Sequence, residues 1–157
     1  MGDIELFKKA WSKFPTGVSV ISSITPDNKI HGMAANGIMS VSLDPMLVVI
    51  SMSNSSTSFK YIEKNKKYGI NILKKNQELI ANYYASSTED KSIDKSSWFN
   101  FANNGVPFLK NCLASMSCNV VEQYKSGDHT LFIGKVDEII VNEGDPLLFY
   151  NSSFGKL

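Results

Sequence analysis

Two periods of hydrophobic and polar positions run along this chain, with turn-forming residues where one gives way to the other. Leu6, Phe7, Ala10 and Trp11 are spaced as on one side of a helix, predicted over Glu5–Lys13 and ended by Pro15-Thr16-Gly17. Period-two or continuously apolar runs follow at Val18–Ile24, Ile30–Ala34, Ile38–Ser42 and Leu47–Met52. Their boundaries carry Pro, Asp, Asn and Gly, and each run is predicted to be a strand. Ser56 or Thr57 can cap a helix that turns Phe59 and Ile62 inward. Tyr68–Leu73 reads as another strand, and Asn76 as the cap of a second helix with Leu79, Ile80 and Tyr83 on its apolar stripe.

Residues 86–111 break the pattern. They are rich in Ser, Asn and Asp and predict a long loop, anchored by Trp98, Phe99 and Phe101. Alternation then returns over Leu113–Tyr124, with Ala114, Met116, Cys118 and Val120 on one face and Ser115, Ser117 and Asn119 on the other. Lys125-Ser126-Gly127-Asp128 is hairpin chemistry, and His129–Val141 returns antiparallel. Glu143-Gly144-Asp145-Pro146 turns into a last strand, Leu147–Tyr150. Many strands with a few flanking helices predict a β-rich α+β barrel. No linker or repeat divides the chain, so residues 1–157 are expected to form one domain.

Composition narrows the classes. With 157 residues and 43% hydrophobic content, the chain can bury a proper core. A formal net charge of +1 offers no basic field for nucleic acid. The densest basic patch, Lys60 to Lys67, reads as a solvated helix face. The longest apolar run, Met46 to Ile50, is far short of the roughly 20 residues that span a bilayer. No segment has the form of a signal peptide, and Cys112 and Cys118 are not spaced as a redox or zinc pair. The expectations are a cytoplasmic protein with no membrane association and no metal site. No G-x-G-x-x-G follows a strand, which argues against a Rossmann nucleotide domain.

Three segments carry candidate chemistry. Met33, Ala34, Ala35, Asn36 and Gly37 are small or apolar around one amide. The plain reading is a strand end and an Asn-Gly hairpin turn. The alternative is a platform where backbone groups meet a flat ligand closely. Asn54, Ser55, Ser56 and Thr57 follow a buried strand and open a helix. They are an ordinary cap, or a phosphate cradle of hydroxyls and helix N–H groups. His129 follows a turn, where most histidines are structural.

The order F-P-T-G-V-S-V-I-S, H-G-M-A-A-N-G-I-M-S-V-S-L-D-P-M-L-V-V-I-S and, later, G-D-H-T resembles the flavin reductase-like family. The likeness runs from about Phe7 to Phe149. The family's domain is an FMN-binding split barrel, a Greek-key antiparallel barrel with flanking helices. Its members include the short-chain NAD(P)H:flavin oxidoreductases of two-component monooxygenases. The resemblance implies NADH- or NADPH-dependent reduction of FMN or FAD by a homodimer, with a partner monooxygenase taking the reduced flavin. It also implies that Met33–Gly37 wrap the flavin ring and that Asn54–Thr57 hold its phosphate. Tyr84 and Ala85 stand where relatives often have Phe-Ala near the flavin tail; the plain alternative is the end of an amphipathic helix. His129 would orient the nicotinamide amide or donate to the reduced flavin, and Phe154 would join it in contacting the nicotinamide. This chain departs at Asn54, where relatives often carry Lys or Arg. It departs again at Ser152 and Ser153, where many have a basic residue and Gly. Trp11 and Phe14 are expected to pack in the core. Two other functions fit the same residues: an FMN-carrying electron-transfer flavoprotein, and a non-catalytic flavin-binding module.

Overall fold

The computed structural model describes residues 2–86 and 95–155. Its elements in chain order are α1 (Asp3–Trp11), β1 (Thr16–Gly17), β2 (Ser19–Ile24), β3 (Ile30–Ala35), β4 (Ile38–Leu43), β5 (Met46–Ser53) and α2 (Thr57–Asn65). Then come β6 (Lys67–Ile72), α3 (Glu78–Ala85), β7 (Phe99–Phe101), β8 (Pro107–Leu109), β9 (Ala114–Ser126), β10 (His129–Val141), β11 (Leu148–Tyr150) and β12 (Ser153–Gly155).

Seven strands form one antiparallel sheet in the order β3-β2-β6-β9-β10-β5-β4. Its two edge strands, β3 and β4, are consecutive in the chain and separated only by Asn36 and Gly37. Two residues can bridge no more than about 10 Å, so the sheet must curl until its edges meet at that corner. The result is an antiparallel barrel split between β3 and β4. The predicted β-rich α+β split barrel is therefore the observed one. The Asn36-Gly37 hairpin is not: β3 pairs with β2 and β4 with β5. Neither residue has the positive φ that a type I′ turn needs.

Inside the barrel, Ile21, Ile50, Met52, Tyr68, Ile70 and Phe132 pack together, and α2 contributes Ile62. A second apolar layer lies outside β2, β3 and β6, where α3 supplies Tyr84 and Ala81, the segment before β11 supplies Leu147, and Phe149 and Phe154 of the C-terminal strands pack against them. Between them lies a buried polar network. Asn71 donates to Val20 O and Ser22 Oγ and accepts from Leu109 N–H and Ser115 Oγ, all at 2.8–3.0 Å. Ser22 Oγ donates to Pro107 O at 2.5 Å. The β7–β8 hairpin thereby closes over the serine face of β9. Ser115 and Ser117 are buried.

Several expectations are corrected. The predicted loop 86–111 contains a 3-10 turn at Ser96–Trp98 and the β7–β8 hairpin. Residues 87–94 of that prediction lie outside the described residues. Phe99 anchors it, whereas Phe101 is exposed. Asn76 is not a cap: it sits within a 3-10 turn, Lys75–Gln77, and Gln77 Oε1 accepts Lys74 N–H at 2.9 Å. Of the predicted stripe, Ile80 and Tyr83 pack against the outer apolar layer, but Leu79 is 84% exposed, and the buried residues of α3 are Ala81 and Tyr84. Trp11 and Phe14 are not core residues either. No residue of α1 is buried, and Ile4, Phe7, Trp11 and Phe14 are all exposed by more than half. The predicted last strand, Leu147–Tyr150, is β11, and it joins β1 and β12, which were not predicted, in a three-stranded sheet.

Candidate functional site

The corner where the barrel splits collects the predicted residues. β3 delivers Met33, Ala34 and Ala35. Met33 and Ala35 pack toward the barrel interior, Ala34 toward the outer layer. Gly32 lies against the Tyr84 ring, where a Cβ would come within 2.6 Å of Cε1. This close approach of α3 to β3 requires a residue without a side chain. Asn36 and Gly37 are exposed at the corner itself. Asn36 Nδ2 donates to Thr16 Oγ1 at 3.3 Å, and Gly37 O accepts Ser51 N–H at 2.9 Å.

That last bond carries the corner onto β5, and β5 leads to the second segment. Ser53 pairs with His129, and Ser51 with Leu131. The turn after β5 is pinned to the β9–β10 hairpin. Asn54 N–H donates to Asp128 O at 2.9 Å, and Thr130 Oγ1 donates to Asn54 Oδ1 at 2.7 Å. The hairpin loop is Gly127-Asp128, with Gly127 at φ +62°, as a tight two-residue turn demands. Asn54 therefore acts as a brace, with its side chain already bound within the chain.

Ser56 is the N-cap of α2, and its Oγ accepts Phe59 N–H at 3.1 Å. The first N–H groups of a helix have no partner within it. With that of Phe59 capped, those of Thr57 and Ser58 remain at the positive end of the helix dipole. Ser53 Oγ and Ser55 Oγ are 2.9 Å apart beside them, and Ser55 and Thr57 are exposed. Hydroxyls, amides and a helix end form a donor set suited to a phosphate.

His129 is half-buried, and its Nδ1 lies 2.7 Å from Asp128 Oδ1. The hydrogen bond with the His129 ring holds the Asp128 carboxyl below the usual carboxylate range. Asp128 thus fixes the ring's orientation.

Met33–Gly37, Asn54–Thr57 and His129 are brought together at one corner. Phe154 is not within that group. It lies in β12 against Phe149, ring centroids 5.6 Å apart, and β11 pairs with β1 through Thr16. The Thr16–Asn36 contact places this small sheet beside the corner. Tyr84 is 8% exposed and backs β3 from behind, with its ring against Phe99 and Trp98. Ala85 is exposed at the end of α3. His31 and Ser58 were not singled out in the sequence, yet they join β3 to α2 at 2.7 Å. Their separation of 27 residues gave no local signal.

Two depressions, of about 350 and 380 Å³, lie elsewhere. The first sits between Thr25–Asn28 and Asn104–Pro107, the second between α1 and Ser152. Neither includes the corner. The donor set and the small-residue strand edge fit the phosphate and ring of a flavin mononucleotide. Among the described residues no group of His, Cys, Asp or Glu could hold a metal ion.

The chain belongs to the flavin reductase-like family: residues 11–157 match its domain model. An NADH-dependent flavin reductase from Rhodococcus sp is 35% identical over 152 residues, covering 96% of this chain and 84% of that protein. The solved flavin reductase PheA2 in its native state superposes with a TM-score of 0.91 at 41% identity, covering 100% of this chain and 99% of that one. The styrene monooxygenase flavin reductase from Pseudomonas putida S12 gives 0.88 at 29%, with 96% of both chains covered. The expected enzyme class, a flavin oxidoreductase, stands with this membership. Among the described residues no helix is long and apolar enough to cross a membrane.

Proposed function

We propose that this protein reduces FMN or FAD with a nicotinamide nucleotide, NADH before NADPH, and releases the reduced flavin to a partner monooxygenase in the cytoplasm. The convergence of a small-residue edge, a hydroxyl-rich helix start and a histidine at the barrel's split carries this reading. Met33, Ala34 and Ala35 form the wall for the ring. Asn36 and the Gly37 backbone meet its polar edge, with Tyr84 supporting the strand from behind and Ala85 toward the flavin tail. Ser55, Thr57 and the first N–H groups of α2 receive the phosphate, while Asn54 and Ser56 hold that turn in shape. His129, oriented by Asp128, positions the nicotinamide amide, with Phe154 in the adjoining sheet.

Bound flavin supplies the hydride acceptor. The chain's task is to stack and orient the two nucleotides, since hydride transfer needs proximity and no general base. We further propose a homodimer. Its support is α1, which exposes Ile4, Phe7 and Trp11, with Phe14 exposed just after it, together with Met39, Val41, Leu43 and Met46 near the barrel's edge. Large apolar side chains left exposed on each of these elements are what a partner surface would cover.

The test is direct. Purified protein with excess FMN should oxidise NADH over many turnovers. Bleaching of one equivalent of bound flavin, without turnover of added flavin, would assign an electron carrier instead. Absence of flavin binding would overturn the reading.

A further inference from the structure

We propose that His31 is a positioning residue for flavin binding, joining the strand that carries the ring platform to the turn that receives the phosphate. This inference rests on the function proposed above and goes beyond it by naming what sets the distance between the two halves of the site.

His31 lies in β3, two residues before Met33. Alternation in a strand puts His31, Met33 and Ala35 on one face, the face that packs toward the barrel interior and α2. His31 Nε2 is 2.7 Å from Ser58 Oγ. The imidazole also meets the Tyr61 ring edge-on, with centroids 5.1 Å apart at 74°. Ser58 is the second residue of α2 and is 2% exposed, so its hydroxyl is closed to any ligand. What it does is anchor the first turn of the helix.

That turn needs such an anchor. The apolar contacts of α2 come from Phe59 and Ile62, toward the barrel core. They hold the helix against the barrel core, with Phe59 on the Phe132 ring of β10. Ser56 caps the turn along its own chain, and the His31–Ser58 bond ties it across to β3. The ring and phosphate of a flavin mononucleotide are joined through one sugar chain. Their binding segments must therefore sit at matched spacing before the ligand arrives, or binding has to order them. His31 provides that spacing.

The experiment measures dissociation constants for FMN and for riboflavin, which lacks the phosphate, by flavin fluorescence on the intact protein. His31→Leu should weaken FMN binding about tenfold, the scale of one buried hydrogen bond, and change riboflavin less than about twofold. KM for FMN should rise while kcat stays put. His31→Gln, whose amide nitrogen can reach the Nε2 position, should restore FMN affinity. Ser58→Ala should reproduce the loss by removing a single oxygen, and it serves as the decisive variant if His31→Leu does not fold. The double variant should be no worse than either single one, as expected for two ends of one interaction. An unchanged ratio of FMN to riboflavin affinity in both single variants would overturn the proposal. Equal loss of both ligands with a fall in Tm would overturn it too, reducing His31 to a packing residue. Wild-type protein that binds FMN and riboflavin alike would instead overturn the phosphate assignment itself.

Discussion

Replacing Ser56 by Asp separates what this residue does for the fold from what its position does for the ligand. Ser56 Oγ caps α2 by accepting Phe59 N–H. Asp caps as well as Ser and adds a favourable charge at the helix N-terminus, so stability should stay within about 0.5 kcal/mol of wild type. The same carboxylate would stand beside the phosphate proposed to bind there. Two unit charges at about 4 Å repel by about 1 kcal/mol in water and about 4 kcal/mol at an effective dielectric of 20. Ser56 is only half-buried, which puts the penalty toward the lower end. FMN affinity should therefore fall about ten- to thirtyfold, with part of it returning in high salt. Riboflavin should bind as before. Ser56→Ala gives the contrast: about 1 kcal/mol lower stability from the lost cap, and a smaller effect on FMN. Fluorescence titration with both flavins and urea unfolding of each variant are the measurements. A stable Ser56→Asp protein with unchanged FMN affinity would refute placement of the phosphate at α2.

Three further outcomes are expected. His129→Ala should raise KM for NADH about tenfold, the loss of one uncharged contact, with flavin affinity little changed; complete loss of turnover with flavin bound would make His129 an essential acid. Phe7→Glu with Trp11→Glu should convert a dimer to a monomer by light scattering, because each buried aromatic contributes roughly 1.5–3 kcal/mol and a buried carboxylate opposes association; an unchanged mass would remove α1 from the interface. Burial pushes the thiols of Cys112 and Cys118 from 9.0 up to about 12. Their pKa is raised on folding, so their stabilisation is complete below pH 9 and fades as pH rises toward 12, by about 1.4 kcal/mol per unit for each thiol. Urea unfolding at pH 8 and pH 10 should show a steeper loss for wild type than for the Cys112→Ala/Cys118→Ala protein, and equal slopes would refute it.

Local chemistry was enough to read much of this chain. His129–Val141 matches β10 residue for residue, because alternation and the Gly127-Asp128 turn bound it on both sides. Ser56 was visible as a cap because capping is decided within four residues. The order of motifs also announced the family, and with it the split barrel. Long-range pairing decided the rest. Asn36-Gly37 has the composition of a hairpin turn, yet it is a barrel corner, because β3 and β4 find their partners in β2 and β5. The amphipathic spacing of α1 says that a face must be covered; only the tertiary structure shows that its own barrel leaves it open. Alternation puts Ser115 and Ser117 on one face of β9, but only the fold buries that face, with Ser115 bound to Asn71 and Ser117 to Asn104. The site follows the same rule. Its segments are legible one by one, but the pairing of His129 with Ser53 and the bond from His31 to Ser58 join residues far apart in sequence. Periodicity records which face of an element is buried, while only folding determines what lies against it.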